Sequence, residues 1–141
     1  MVRGRIFIAV GLVVGLVLLP ACGGGGPKGT ATCDGTPLDA DAMDLPADFP
    51  IPDKVTIDAT AKQGASHTFD GWFDGSLEDA YHAWKDAFES AGYTVLFDEL
   101  EERDSEVSYA SADNTSTGQV AMKSDCVEEG RTDVHITSRP A

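Results

Sequence analysis

The arrangement of apolar residues at two different spacings is the feature that most restricts the fold of this chain. Between positions 77 and 91 the apolar residues recur at intervals of three and four, which predicts an amphipathic helix from Leu77 to Ala91. Ser76 is placed to cap the start of this helix, and Gly92 is placed to follow its end. The apolar stripe consists of Leu77, Ala80, Tyr81, Trp84, Ala87, Phe88 and Ala91.

The remaining apolar residues alternate with polar ones, a pattern typical of half-buried strands. The alternating groups are Val55, Ile57 and Ala59; 68–73; Tyr93, Val95 and Phe97; Val107 and Tyr109; Val120 and Met122; and Val134 and Ile136. The order β-β-α-β-β-β-β predicts an α+β fold in which the single helix packs on an antiparallel sheet of about five to six strands. We expect the helix aromatics to pack on Tyr93, Phe97, Tyr109 and Val134.

Length and charge limit the class of protein. The chain has 141 residues, and 24 acidic against 10 basic side chains give a formal net charge of −14. This length fits one domain, since a second core is expected only beyond roughly 250 residues. Nucleic-acid binding requires clustered Lys and Arg, so the acidic excess argues against a nucleic-acid partner.

The N-terminus has the pattern of an export signal. Arg3 and Arg5 precede an uncharged apolar run from Ile6 to Leu19. The run is shorter than the roughly 20 residues that a helix needs to cross a bilayer. A basic start followed by such a run is typical of a cleavable signal peptide.

The end of this run, Leu19-Pro20-Ala21-Cys22, resembles the lipobox of bacterial lipoproteins. The resemblance implies that residues 1–21 are a cleaved signal peptide and that Cys22 carries a diacylglyceryl thioether, with N-acylation of Cys22 left open. It also implies attachment to a cell membrane, facing the extracytoplasmic side. In a cell with two membranes we expect the outer one. The residue after the lipidated cysteine is Gly23, whereas an Asp at this position resembles a signal for retention in the inner membrane.

After the lipobox, the composition predicts a Gly-rich flexible tether over 22–44 and a single folded domain over 45–141. Loss of Arg3 and Arg5 with the signal peptide takes the formal net charge from −14 to −16. An acidic surface is repelled by anionic lipid, so we expect the lipid on Cys22 to provide the contact with the bilayer.

Two cysteines remain once Cys22 is lipidated. An even pair in an oxidising compartment predicts a disulfide between Cys33 and Cys126, with two free thiols as the alternative. Such a bond closes a loop of about 93 residues and stabilises the fold by up to ~4.6 kcal/mol in the chain-entropy account.

The sequence provides little chemistry for catalysis or metal binding. His67, His82 and His135 lack the spacing of a helical zinc site, and we expect all three to face solvent. We predict no metal ligands, no catalytic residues and no cofactor beyond the lipid on Cys22. The acidic clusters 39–44 and 98–106 are interpreted as solvated surface, with weak calcium binding as the alternative.

Trp72 is the candidate contact residue. Period two places it opposite Phe69 and Phe73, so it is expected on the solvent-facing side of the sheet, as a contact or as a cover. The leading hypothesis is a non-enzymatic binding or structural lipoprotein with an envelope protein partner. The alternatives are a small-ligand carrier that uses the open sheet face around Trp72, and a hydrolase without a recognisable motif.

Overall fold

The computed structural model describes residues 33–46 and 48–141. Within these residues the strands are β1 (Val55–Gln63), β2 (Ser66–Asp74), β3 (Thr94–Leu100), β4 (Asp104–Ala110), β5 (Ser116–Lys123) and β6 (Arg131–Pro140). The helix α1 is Leu77–Ser90, and short 3₁₀ turns lie at Ala40–Ala42 and Val127–Glu129. The order β-β-α-β-β-β-β confirms the predicted α+β class.

The described strands form one antiparallel sheet in the order β1-β2-β6-β5-β4-β3. Strands β1 and β2, β3 and β4, and β4 and β5 are pairs of sequence neighbours. The last strand, β6, lies in the middle and pairs with β2 on one side and β5 on the other. It therefore joins the two halves of the sheet that the helix connection separates.

The helix α1 has the predicted capping residue at its start. The Ser76 hydroxyl accepts a hydrogen bond from the backbone N–H of Asp79 (3.2 Å) and donates one to the Asp79 carboxylate (2.8 Å). The hydrogen bond from Ser76 lowers the pKa of Asp79. At the other end Gly92 adopts φ +77°, a left-handed conformation that suits glycine. The helix begins at Leu77 as predicted and ends at Ser90, one residue before the predicted end at Ala91.

The inner face of the sheet, which α1 covers, holds the aromatic core. Trp84, Phe88 and Tyr109 are fully buried, and the Phe88 and Tyr109 rings stack with 4.5 Å between their centres. Phe49, from the Pro-rich segment before β1, inserts its ring 5.5 Å from that of Tyr109. The predicted packing of the helix stripe near Tyr93, Tyr109 and Val134 is confirmed, because these residues are buried in the same cluster.

Phe97 does not join this core, so that part of the prediction is wrong. The register of β3 shifts between Val95 and Phe97: Val95 lies opposite Tyr109, whereas Phe97 lies opposite Ser108. Because one extra residue reverses the side-chain alternation, Phe97 points to the outer face and is 50 % exposed. The next residue, Asp98, points to the helix side instead.

A second irregularity changes the face of Ala59 in the same way. The register of β1 shifts between Ile57 and Ala59, and Ala59 lies opposite Asp70 on the outer face. Ile57 is buried in the core, as predicted, while Ala59 is exposed. The expectation that Val55, Ile57 and Ala59 share one face is therefore wrong for Ala59.

The described part of the segment predicted as a tether contacts the domain. The backbone N–H of Leu38 donates to the carbonyl of Ile57 (2.8 Å), and Leu38 and Met43 pack against the core cluster. Cys33 is buried against Trp72 and Cys126. In the part of the chain that the structure describes, the N-terminal segment therefore contacts the sheet from Cys33 onward.

Candidate functional site

The outer face of the sheet, opposite α1, carries the side chains that alternate with the core residues. Strand register places Thr68, Asp70, Trp72 and Asp74 of β2 on this face. Across the other strands the same face carries Arg131, Asp133, His135, Thr137, Arg139, Thr117, Gln119, Ala121, Lys123, Glu106, Ser108 and Phe97. Its two ends differ in how they are covered.

Trp72 lies on the outer face, as predicted, but it is not exposed. Only 4 % of the residue is accessible, because Cys33 and Cys126 pack against it at disulfide distance from each other, with 6.1 Å between their Cα atoms. The guanidinium of Arg131 covers the ring at 4.7 Å from its centre. Trp72 is therefore buried beneath the two cysteines and Arg131. It cannot be the exposed contact or ligand platform that the sequence offered as an alternative.

Arg131 links this cover to the N-terminal segment. Its Nε donates to Oδ1 of Asp74 (2.9 Å), and a terminal nitrogen donates to the carbonyl oxygen of Cys33. We call Cys33, Trp72, Cys126 and Arg131 the disulfide clamp. It fixes the N-terminal segment to one end of the outer face, at the start of β6.

The other end of the outer face contains a depression with a volume of about 450 Å³. Its lining combines hydroxyl and amide side chains with apolar surface and one arginine. The described lining residues are Ser66, Leu96, Ser108, Tyr109, Thr117, Gly118, Gln119, Thr137 and Arg139. They come from five of the six strands, so the regular hydrogen bonding of the sheet sets their spacing. We call this feature the outer-face depression.

The polar groups of the depression are available for a ligand. Within residues 33–46 and 48–141, the side chains of Thr117, Gln119 and Thr137 make no hydrogen bond to protein, and Arg139 makes no ion pair. The Ser108 hydroxyl donates to Oε1 of Glu106 (3.0 Å) and keeps its acceptor capacity. Several hydrogen-bonding groups thus face solvent from rigid strand positions.

The floor of the depression depends on a glycine. A Cβ atom at Gly118 would lie 2.0 Å from the carbonyl oxygen of Thr137 and 2.5 Å from the Tyr109 hydroxyl oxygen. That hydroxyl donates to the Thr137 carbonyl (3.3 Å), and burial raises the pKa of Tyr109 to about 12. Because Gly118 has no side chain, the hydroxyl of the buried Tyr109 can reach the Thr137 carbonyl of β6 from the inner side of the sheet.

Two large apolar side chains border the depression at the edge of the sheet. Leu96, the bulged residue of β3, is 60 % exposed and lines the depression, and Phe97 beside it lies opposite Ser108. Adjacent exposed apolar residues rimmed by polar ones are a feature of contact sites. We call Leu96 and Phe97 the β3 rim.

The histidines lie apart from one another. His135 is on the outer face with its Nδ1 2.5 Å from Oδ1 of Asp70, and His82 is exposed on the helix. His67 was expected in solvent, but register places it on the inner face and its side chain is only 19 % exposed, so that expectation is wrong. In the described residues no group of three or more His, Cys, Asp or Glu side chains is arranged to hold a metal ion.

Asp98 is not part of a solvated hairpin, contrary to expectation. The bulge turns it toward α1, where its carboxylate accepts hydrogen bonds from the Tyr81 hydroxyl and from Nζ of Lys85 (2.9 Å). These two hydrogen bonds lower the pKa of Asp98, and the same contact raises the pKa of Lys85. Asp98 thus anchors β3 to the helix.

The predicted lipidation site, Cys22, and the predicted signal peptide lie outside the described residues, so both stay predictions. In the part of the chain that the structure does describe, no helix has the length and hydropathy to cross a bilayer. Comparison with models of known protein families gives no match, and comparison with curated proteins gives none either.

Sequence reasoning found the outer face but not the depression. Ser108, Gln119 and Thr137 each adjoin a buried apolar residue, so their alternation alone assigns them to the outer face. That they form one row across β4, β5 and β6 depends on strand register, which the periodicity of a single strand does not contain.

Proposed function

We propose that this chain is an envelope lipoprotein, anchored by lipid on Cys22, whose domain is a binding module that uses the outer-face depression. The anchor rests on the lipobox resemblance of Leu19-Pro20-Ala21-Cys22. The binding role rests on the depression, because the side chains of Thr117, Gln119 and Thr137 have no hydrogen-bond partner among the described residues, and exposed apolar residues border it. Binding sites combine these two kinds of group.

The position of the disulfide clamp supports this arrangement. The clamp holds the N-terminal segment near Arg131, whereas the depression lies near Arg139 on the same strand. At about 3.3 Å per residue these positions are ~26 Å apart. Since Cys22 is eleven positions before Cys33, the lipid lies within about 36–40 Å of the clamp even at full extension. The depression therefore lies at the end of β6 farther from the clamp, where the N-terminal segment joins the sheet.

The second candidate is a carrier of a small molecule in the same depression, and its volume of about 450 Å³ favours this alternative. Carrier pockets, however, are mostly apolar and enclose most of the ligand. The described lining here combines hydroxyl and amide groups with apolar surface, on an open sheet face. These groups favour a ligand that lies along the surface.

The anchor is tested with Cys22→Ser in cells that express the full chain. We expect Cys22→Ser to lose labelling by a clickable fatty acid and to leave the membrane fraction. Cys33→Ser, which leaves the lipobox unchanged, is the matched control and should keep the label. Equal labelling of the wild type and Cys22→Ser contradicts the anchor.

The binding surface is tested by photo-crosslinking in intact cells. A photoreactive phenylalanine replaces Gln119 in the depression or, as control, Asp86 on the exposed face of α1. We expect a discrete adduct from position 119 that is absent or much weaker from position 86. Equal adduct patterns from the two positions contradict a binding role for the depression.

A further inference from the structure

We propose that the outer-face depression binds an uncharged, hydroxyl-rich saccharide chain of the cell envelope. This inference rests on the proposed function, which places the domain outside the cytoplasm and assigns binding to this face. It adds the chemical class of the ligand.

The spacing of the polar side chains suits a polymer of sugars. Ser108 lies opposite Gln119, and Gln119 lies opposite Thr137, so the three side chains form one row across β4, β5 and β6. Adjacent strands are about 4.8 Å apart, a distance comparable to the length of one pyranose unit. Each step along such a chain brings new hydroxyl groups to a new hydrogen-bonding side chain.

The β3 rim extends this row with apolar surface. Phe97 lies opposite Ser108, at the β3 end of the same row, and Leu96 lines the depression beside it. Sugar rings have an apolar C–H side as well as hydroxyl groups, and the C–H side packs on exposed aromatic and aliphatic side chains. A row of hydrogen-bonding groups that ends at an exposed Phe offers both kinds of contact.

Charge selects against anionic polymers. The whole chain has a formal net charge of −14, which repels nucleic acid and anionic lipid. Among the described residues that line the depression none is acidic, and Arg139 is the one cation. The guanidinium has five N–H donors, which bond to sugar oxygens without requiring an anion. An uncharged saccharide therefore fits the lining and is not repelled by the rest of the surface.

A protein partner fits the depression less well. The centres of protein interfaces are enriched in aromatic residues that pack into desolvated pockets. Here the exposed apolar residues are at the edge, and the centre holds hydroxyl and amide groups. A protein ligand is therefore treated as the competing outcome of the test.

The test uses the full-length mature lipoprotein, ¹⁵N-labelled, in a detergent without a sugar headgroup. Chitotetraose and cellotetraose are the uncharged probes, and tetragalacturonate is the anionic probe. With at least one uncharged probe we expect amide shift changes confined to residues around the depression, and smaller changes with tetragalacturonate. Gln119→Ala and Thr137→Val should each weaken binding about 3- to 10-fold, as expected for the loss of one hydrogen bond.

Thr56→Val is the matched control, because Thr56 is on the outer face of β1 opposite Trp72 and outside the depression. It should bind like the wild type. The proposal is overturned if neither uncharged probe shifts the depression amides at millimolar concentration, or if all variants bind equally. A photo-crosslink from position 119 to a protein, together with no saccharide shift, overturns this inference and leaves the proposed function standing.

Discussion

The guanidinium of Arg131 lies 4.7 Å from the centre of the Trp72 ring, on the face of the sheet opposite the helix. The same guanidinium contacts Asp74 and the carbonyl of Cys33, so one side chain joins two strands and the N-terminal segment. This contact and the adjacent cysteine pair bury a tryptophan on a face that is otherwise polar. The consequences are measurable.

Reduction of the Cys33–Cys126 disulfide should uncover Trp72. Without the bond the N-terminal segment is held by weaker contacts, and water reaches the indole. We expect the tryptophan emission to shift to longer wavelength on reduction. The variant Trp72→Phe retains the core residue Trp84 and should show no shift, so an equal shift in both proteins assigns the change to the core instead.

Removal of the same disulfide should also lower the free energy of unfolding. The cysteines are 93 residues apart in sequence, and loss of such a bond costs about 2–4 kcal/mol. The measurement is urea denaturation of the oxidised protein and of the Cys33→Ser/Cys126→Ser double variant. Equal midpoints and slopes would show that the disulfide does not constrain the unfolded chain.

The bulge in β3 predicts very different costs for two substitutions of the same type. Phe97→Ala removes a half-exposed side chain and should change the free energy of unfolding by less than about 0.5 kcal/mol. Phe88→Ala removes a fully buried ring and should cost about 3–5 kcal/mol. Chemical denaturation of both variants checks this. A loss above about 2 kcal/mol for Phe97→Ala would place Phe97 in the core.

Asp98 should make stability depend on pH in the acidic range. Its pKa is lowered in the fold by Tyr81 and Lys85, so its contribution is fully present above the unfolded value near 3.8. The contribution is lost as pH falls from there through the folded pKa. The free energy of unfolding is measured against pH for the wild type and for Asp98→Asn. The difference between the two isolates the contribution of Asp98 from that of the other carboxyl groups. A difference that stays constant from pH 6 to pH 2 contradicts the assignment.

Gly118→Ala should destabilise the protein by about 1–3 kcal/mol, because the new methyl group overlaps the Thr137 carbonyl and the Tyr109 hydroxyl. Gly64→Ala is the control. Gly64 has φ +62° and open space around a Cβ, so only backbone strain of about 1 kcal/mol is expected. The thermal midpoints of the two variants measure the difference. A smaller loss for Gly118→Ala than for Gly64→Ala is the contrary result.

Periodicity predicted α1 and its buried stripe because residues three and four positions apart lie on the same face of a helix. It failed at Phe97 and Ala59, where a single extra residue in a strand reverses the faces of all that follow. Nothing local in the sequence marks either bulge. For Trp72 the predicted face was correct, but the expected exposure to solvent was wrong, because Cys33 and Arg131, distant in sequence, cover the ring.

Only part of the candidate site could be predicted from the sequence. Alternation is compatible with Gln119 and Thr137 on the outer face, since each adjoins a buried apolar residue, but their adjacency depends on β6 pairing with β5. A C-terminal strand inserted at the centre of a sheet is a long-range pairing, which no window of neighbouring residues encodes. The depression therefore depends on the order of the strands in the sheet, which the local sequence does not show.

The central claim is a lipid-anchored domain whose N-terminal segment is clamped to the sheet. Mass spectrometry of the protein purified from its native membrane tests it most directly. We predict a chain that begins at Cys22, carries diacylglyceryl on that sulfur, and gains about 2 Da on reduction as the Cys33–Cys126 bond opens. A chain that retains Met1, with an unmodified Cys22 and no mass change on reduction, contradicts the account.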